Sequence, residues 1–397
     1  MSEILFNKGY VGLAIEPAPG TATTPTDYLQ AYDFNIKTKR NFNKMAPAAG
    51  NVYGVQNVVP GLRDHTGDAT FVFEANTAEK IFAMMLAMSG KTGSNPYTST
   101  GTLSASTPKT YTIDVASGTN TVQRYYGCQV EKITLERTEN ELKLKPTISA
   151  LGSFQGREIA SVTGASPYTI NFKTDYDPSP TTGLAVGDLL RTYAASGGTT
   201  IDCTVASIVS ATAITTTTNV SANVSGDFVY LRPASPSFNM LPQPALWSNT
   251  HVYFAATAAA ALSASETHVE EGSTWEISYP FKDVKGEHRS GSQDPAALLR
   301  KPAEVSLTIK KYYDTPGDVE NYNNMAKTAC QFRHYFYSNG NVYEVRITFN
   351  NLTTDDPLPQ YKAGEINYSE IKYIAKQDVI DGQAFSVTFI NANPTLT

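Results

Sequence analysis

The chain of 397 residues is longer than one hydrophobic core usually supports, which predicts two or three compact units. A net charge of −6 without a run of Lys and Arg argues against nucleic-acid binding through phosphate contacts. Residues 1–8 lack the pattern of a secretory signal, and no stretch is apolar enough to span a bilayer. We therefore expect no membrane contact and assembly in the cytoplasm.

Composition favours strands over helix bundles, because Tyr 23 and Phe 17 far outnumber Met 7. Only 17% of the residues are charged. This fits surfaces covered by partners, and it fits a surface rich in Thr and Ser equally well. Cys128, Cys203 and Cys330 are far apart, so we expect reduced, packed thiols and neither disulfides nor a Cys-x-x-Cys metal pair. Nothing in the sequence points to a cofactor.

The first part of the chain predicts strands interrupted by one long loop and one short helix. Residues 41–61 are rich in Gly, Pro and Asn and predict the loop. Thr77 is placed to cap a helix over residues 78–88, which Gly90 would end. The predicted strands of this part are 32–39, 69–74, 110–115, 121–137 and 141–152.

The same order of elements returns from Trp275 onward, which predicts an internal repeat. Asp318 is placed to cap a helix over residues 319–327. Asn339-Gly340 predicts a hairpin, because both turn positions require positive φ. Two generic β segments are the alternative to a repeat. The landmarks that match at nearly constant separation are Arg63 with Arg300, Phe71 with Leu307, and Thr77 with Asp318. The predicted strands of the second copy are 275–281, 304–312, two within 330–349, 364–375 and 384–390.

Residues 155–237 differ in composition from both copies, since Thr, Ser, Ala and Val dominate and charges become sparse. Short strand-like runs separated by Gly, Pro and Ser/Asn turns are typical of a small antiparallel barrel or sandwich. We predict three domains: residues 1–154, an inserted, outward-facing β domain over 155–237, and residues 238–397.

The densest cluster of titratable groups consists of Arg63, Asp64, His65 and Asp68. A His with two carboxylates can bind a cation. The cluster directly precedes a predicted strand, where charges usually shape a loop or pair across an interface, so we expect a charge cluster near a domain interface. No nucleophile elbow, phosphate-binding loop or metal-ligand spacing occurs elsewhere. We predict no catalytic residue, no metal site and no enzymatic activity.

Three stretches of the sequence resemble the tail tube proteins of long-tailed bacteriophages (siphophages). They are GYVGLAIE with PGTATTP at residues 9–25, GLRDHTGD at 61–68 before a strand and a short helix, and RYYGC at 124–128 opening a long strand. The resemblance covers residues 1 to about 155 by motif and 240–397 by architecture only. Residues 155–237 look like an added outer domain.

The resemblance implies a mainly-β fold with two tail-tube-type sandwich or barrel domains, each flanked by one short helix. It implies a structural virion protein that polymerises into stacked rings, located in the virion tail, through which phage DNA passes during ejection. A ring also pairs strand edges that would otherwise be open. The implied partners are further copies of the chain, the tape-measure protein and passing DNA in the lumen without specific binding, and the tail tip and terminator proteins.

Two tube-fold copies per chain predict a trimeric, pseudo-sixfold ring, and a ring of six chains is the alternative. The loop over residues 41–61 is too apolar for a free solvent loop. It is therefore the candidate for contact between rings, and folding back on its own domain is the alternative. The residues expected in that contact are Phe42, Met45, Val52, Tyr53 and Val55. The acidic balance predicts a net negative lumen along which DNA slides.

Two rival functions are considered beside the tube. A surface adhesin built from β domains would bind carbohydrate through aromatic residues such as Tyr168, Tyr176 and Tyr193. A β-rich hydrolase of the phage baseplate would need two carboxylates at a fixed separation.

Overall fold

The chain folds almost entirely from β-strands. The computed structural model describes residues 9–45, 57–103, 108–116, 121–175, 177–195, 200–238, 243–281, 294, 297–312, 327–338, 340–356, 368–377 and 382–394. Strands make up 57% and helices 5%, so the predicted mainly-β fold class is confirmed.

The first half of the chain ends before residue 155. Its elements are β1 (Tyr10–Ile15), β2 (Asp27–Leu29), β3 (Ala31–Phe34), β4 (Lys37–Met45), β5 (Asn57–Val72), α1 (Ala75–Ala83), β6 (Ala87–Met88), β7 (Thr92–Gly93), β8 (Tyr97–Thr102), β9 (Tyr111–Ala116), β10 (Val122–Thr138), β11 (Glu141–Ser149) and β12 (Gly152–Phe154). Neighbouring strands run antiparallel in the order β1, β9, β10, β11, β5 and β4. The 17-residue strand β10 pairs near its start with β12 as well.

Six strands between the halves close into a small antiparallel barrel. They are β13 (Arg157–Thr163), β14 (Tyr168–Phe172), β15 (Leu189–Tyr193), β16 (Ile201–Ser210), β17 (Ala213–Thr216) and β18 (Phe228–Leu231). The pairing runs β13, β14, β17, β16, β15 and β18, and β18 returns to β13. The barrel has its own apolar core, which includes Ile159, Ile170, Leu190 and Val229.

The second half repeats the strand order of the first. Its elements are β19 (Thr250–Ala255), α2 (Ala258–Ala261), β20 (Thr274–Ser278), β21 (Glu304–Tyr312), β22 (Thr328–Ser338), β23 (Asn341–Asp356), β24 (Tyr368–Ala375) and β25 (Phe385–Asn391), with a 3₁₀ turn at Trp247–Asn249. Antiparallel neighbours run in the order β19, β22, β23, β24, β21 and β20. The 16-residue strand β23 corresponds to β10, and β25 lies beside it as β12 lies beside β10. The predicted domain boundaries stay a prediction.

Buried residues of both halves contribute to one apolar core. Helix α1 is buried along its whole length. Its Phe82 ring lies 6.0 Å from Trp275 and 5.6 Å from Phe389, which both belong to the second half. Aromatic side chains from both halves are buried in one cluster, and this burial is a main source of stability for the contact between the halves.

Helix α1 begins three residues earlier than the sequence suggests, because Glu74 and not Thr77 caps it. The buried Glu74 carboxylate accepts hydrogen bonds from the backbone N–H groups of Asn76 (2.9 Å) and Thr77 (2.5 Å). The prediction of Thr77 as the cap is wrong, since Thr77 lies inside the first turn. The helix ends at Ala83 with Met84 as its C-cap, and Gly90 lies beyond it between β6 and β7.

Replacing Glu74 with Ala should therefore lower the free energy of unfolding by about 1–2 kcal/mol, the usual cost of a lost N-cap. Thr77→Val is the matched variant. The buried Thr77 hydroxyl has no hydrogen-bond partner among the described residues, so its loss should be neutral or slightly stabilising. Urea denaturation of both variants checks the assignment, and a larger cost for Thr77→Val would contradict it.

In the second copy the predicted turn can be compared with the structure, whereas the predicted helix cannot. At the predicted Asn339-Gly340 turn, Ser338 pairs with Asn341, and Gly340 has a φ of 78°. The helix predicted over residues 319–327, with its cap Asp318, lies outside the described residues apart from Lys327. Strands β8 and β19 and helix α2 were not expected. Strand β8 of the first half lacks apolar alternation and pairs with β25 as well as with β6 and β7.

Candidate functional site

The predicted charge cluster lies inside strand β5 and not in a loop before a strand. The segment pairs with β4 on one side and β11 on the other, which makes it strand throughout. Because side chains alternate along a strand, Arg63 and His65 lie on one face, and Asp64 and Asp68 lie on the other. The four residues therefore do not form one site.

His65 and Arg63 join the two halves of the chain through Asp294. The fully buried His65 donates from Nε2 to Asp294 Oδ1 at 3.2 Å, and its Nδ1 lies 3.0 Å from Thr38 Oγ1. Arg63 Nη1 lies 3.6 Å from Asp294 Oδ2. Burial opposes ionisation of Asp294, but the His65 hydrogen bond and the Arg63 charge lower its pKa overall. The arrangement is a structural pairing across the halves.

The two carboxylates on the opposite face are engaged locally. Asp68 Oδ1 accepts a hydrogen bond from Thr147 Oγ1 at 2.6 Å, and Asp64 Oδ1 accepts one from Thr66 Oγ1 at 3.1 Å. In the described part of the chain, no group of three or more His, Cys, Asp or Glu side chains is arranged to hold a metal.

The predicted contact loop is largely a β-hairpin arm. Strand β4 continues to Met45 and β5 already begins at Asn57, with Phe42 opposite Pro60. The prediction of a loop over residues 41–61 is therefore wrong at both ends. Pro60 is tolerated because β5 pairs with β11 only over residues 66–72, so within the described parts of the chain Pro60 has a neighbouring strand on one side, β4. Phe42 and Met45 belong to β4. The other predicted contact residues, Val52, Tyr53 and Val55, lie outside the described residues.

The sheets of the two halves join edge to edge where β10 meets β20. The register places Ile133 opposite Ile277 and Thr134 opposite Glu276. Thr134 Oγ1 donates to Glu276 Oε2 at 3.3 Å, and Lys132 Nζ lies 3.4 Å from the same carboxylate oxygen. One continuous sheet therefore runs through both halves, and we call this contact the internal junction.

Arg300 binds backbone groups on both sides of the internal junction. Its Nη1 donates to the carbonyl oxygens of Val130 (2.8 Å) and Tyr279 (2.5 Å). The guanidinium lies between the rings of Tyr279 and Phe281, 4.6 and 4.2 Å from their centroids. Burial lowers the pKa of Arg300 to about 10, so it remains charged at neutral pH. Its sequence counterpart, Arg63, makes none of these contacts.

A buried ion cluster connects the barrel to the first half of the chain, and the sequence did not predict it. Arg124, which is 1% exposed, donates to Asp114 from Nε and Nη2 at 2.6 and 2.8 Å. It also donates to Asp188, which precedes β15 of the barrel, at 2.5 and 3.0 Å. Burial alone would lower the pKa of Arg124, but the two carboxylates raise it, so the cation is held. The sequence offered Arg124 only as part of a motif, because Asp188 lies 64 positions away.

His334 is a buried neutral base in the second half. It lies in β22 with Nδ1 2.9 Å from Thr250 Oγ1, and its ring is 4.8 Å from that of Phe73. Burial lowers its pKa to about 3. Its unfolded form gains a proton below about pH 6.5, while the folded form excludes that proton. This contribution to stability is therefore complete above pH 6.5 and is lost as the pH falls toward 3.

We accordingly expect the free energy of unfolding to fall by about 1.4 kcal/mol more per pH unit in the native chain than in His334→Asn, between about pH 6 and 4. Asn keeps a polar partner for Thr250 and has no titration in this range. Urea denaturation of both proteins at several pH values measures the two slopes. Equal slopes would show that His334 does not carry the acid sensitivity.

The solvent-facing side of the continuous sheet carries both signs of charge. Lys310 lies directly opposite Glu370 on neighbouring strands, and Lys132 lies close to Glu276. Opposite charges placed in this way across strands stabilise a sheet modestly. This face is therefore mixed and not uniformly acidic.

Of the aromatic residues considered for carbohydrate binding, Tyr168 and Tyr193 make separate contacts in the described structure. Tyr193 packs edge-on against Tyr230, with ring centroids 5.4 Å apart, on the barrel surface beside Phe228. Tyr168 packs against the barrel core. Tyr176 lies outside the described residues.

Comparison with known proteins gives no assignment: no protein family matches the sequence, and no curated protein matches it significantly. Among the described residues, no helix is both long and apolar enough to cross a membrane.

Proposed function

We propose that this chain is a structural virion protein that polymerises into stacked rings and so forms the tail tube of a long-tailed bacteriophage. The observation that carries the proposal is the pair of halves with the same strand order, joined edge to edge at the internal junction. It supports the motif resemblance with an independent architectural argument.

A subunit of this kind is suited to ring formation. The internal junction uses the β20 edge of the second half and one side of β10 in the first, and β8 pairs with β25 as a second contact between the halves. In the described part of the chain, one side of β3 and the end of β23 are left for another chain, which makes the contact between chains head-to-tail. Head-to-tail contacts close into a ring when the rotation per unit fits. With six halves around the lumen, three chains complete a ring.

The remaining roles follow from the same proposal. The protein acts in the virion tail after assembly in the host cytoplasm, without a catalytic residue or a cofactor. Further copies of the chain, the tape-measure protein, passing DNA, and the tail tip and terminator proteins are its partners. A net negative lumen, as the acidic balance of the chain predicts, would repel phosphates and let DNA pass without sticking.

Electron microscopy of the purified protein tests the proposal. We expect hollow tubes or stacked rings, with three barrel domains protruding from each ring in averaged images. Six barrels per ring would replace the trimer by a ring of six chains. Dispersed monomers at every protein and salt concentration would contradict the tube function.

A further inference from the structure

The internal junction is a template for a contact between chains, because each of its strands has a counterpart in the other half. The match starts from Phe71 and Leu307. Phe71 lies opposite Leu144 on β11, and Leu307 lies opposite Tyr373 on β24. In turn, Leu144 faces Leu135 on β10, and Tyr373 faces Thr354 on β23. Leu135 therefore corresponds to Thr354, and the preceding residue of β10, Thr134, corresponds to Thr353.

The same match identifies the counterpart of β20. Glu276 on β20 lies opposite Ser306 on β21, one residue before Leu307. Asp33 on β3 lies opposite Thr70 on β5, one residue before Phe71. Asp33 therefore corresponds to Glu276. The internal pair Thr134 and Glu276 has its counterpart in Thr353 and Asp33, which again combine a hydroxyl with a carboxylate.

Both counterpart strands have an open edge in the described part of the chain. On the relevant side of β23, β22 reaches only as far as Leu352, through its first residue Thr328. Residues 353–356 of β23 pair with β24 on the other side alone. Strand β3 pairs with β5 on one side only. An open edge presents unpaired N–H and C=O groups and is a template for another chain.

We propose that β3 of one chain pairs antiparallel with the end of β23 in the next copy of this chain, with Asp33 opposite Thr353. Pairing begins at Thr353, because Thr328 occupies the place beside Leu352, and it continues toward residue 356. The Thr353 hydroxyl donates to the Asp33 carboxylate, as Thr134 does to Glu276. The proposal rests on the tube function and specifies which edges join the subunits.

Cross-linking between two singly substituted chains tests the contact. Asp33→Cys and Thr353→Cys chains are co-expressed, assembled, and treated with a short bis-maleimide. Both positions are at least partly exposed, so folding should be retained. The native cysteines give little background, because all three are buried and burial raises their pKa values. We expect a cross-linked dimer on a denaturing gel, at a yield about tenfold above the control, since pairing raises the effective thiol concentration.

The matched control replaces Thr353→Cys with Thr147→Cys. Thr147 has similar exposure but lies on β11, between β10 and β5, away from any free edge. Tubes that form without a cross-link above this control would overturn the proposed edge and leave the tube function standing. Failure of the unsubstituted protein to assemble at all would overturn both.

Hydrogen exchange provides a second readout on the unsubstituted protein, independent of how the cysteine variants fold. Backbone amides of residues 31–33 and 353–355 should exchange at least about tenfold more slowly in tubes than in unassembled chains, because pairing protects them. Unchanged exchange at both segments in intact tubes would overturn the proposal.

Discussion

Replacing Arg124 with Met should lower the free energy of unfolding by about 3–5 kcal/mol. The substitution removes the cation that neutralises Asp114 and Asp188, and Asp188 is 1% exposed. Removing one partner of a buried ion cluster leaves uncompensated charge in a medium of low dielectric constant, which is why the loss is large. Urea denaturation of the unassembled chain measures it. Adding Asp188→Asn to the Met variant should recover part of the loss, because one of the stranded charges disappears.

Arg191→Met is the control for this prediction. Arg191 binds Asp202 with the same two-pronged geometry, at 2.6 and 3.0 Å, but the side chains are 25% and 38% exposed. Solvent screens such pairs, so the loss should stay below about 1 kcal/mol. Similar losses for Arg124→Met and Arg191→Met would show that burial of the cluster does not govern its contribution.

Arg300→Met should lower the free energy of unfolding by about 2–4 kcal/mol. The variant leaves the carbonyls of Val130 and Tyr279 without this donor, and each unsatisfied buried group costs about 1–3 kcal/mol. Arg300→Lys should fall in between, because an ammonium keeps the charge and loses the planar fork that lies between two rings. The loss arises at the internal junction, so the two halves should also unfold less cooperatively.

Arg63→Met, at the sequence counterpart of Arg300, is the matched variant. Its described ion pair, with Asp294 at 3.6 Å, is long, so the loss should be about 1 kcal/mol or less. Denaturant curves for the three proteins distinguish the roles. A loss for Arg63→Met as large as that for Arg300→Met would contradict the view that Arg300, and not Arg63, stabilises the internal junction.

Local patterns in the sequence predicted much of the fold. Alternation of apolar residues such as Ile133 and Leu135 marked the strand β10, and Asn339-Gly340 marked the β22–β23 turn. These signals work because strand faces and tight turns depend on residues next to each other in the chain. The repeated order of elements was visible for the same reason, since order survives when residue identity does not.

Features that depend on distant partners were not predicted. The paired ends of β4 and β5 have the Gly- and Pro-rich composition of a loop. That the two segments pair with each other is visible only in the structure. His65 meets Asp294 across 229 positions, and Arg124 meets Asp188 across 64. The helix cap was misassigned because Ser, Thr, Asp and Asn are the usual N-cap residues. A buried Glu in that position goes against the preference.

The internal junction also bears on how quickly rings can form. Pairing of β10 with β20 takes place within one chain, so it needs no encounter between molecules and does not depend on protein concentration. In a ring of three chains, half of the sheet contacts are then complete when folding ends. Each chain that joins loses translational and rotational freedom once for two halves of the wall. Nucleation of a ring should therefore vary with about the third power of subunit concentration, where single-copy subunits would require the sixth.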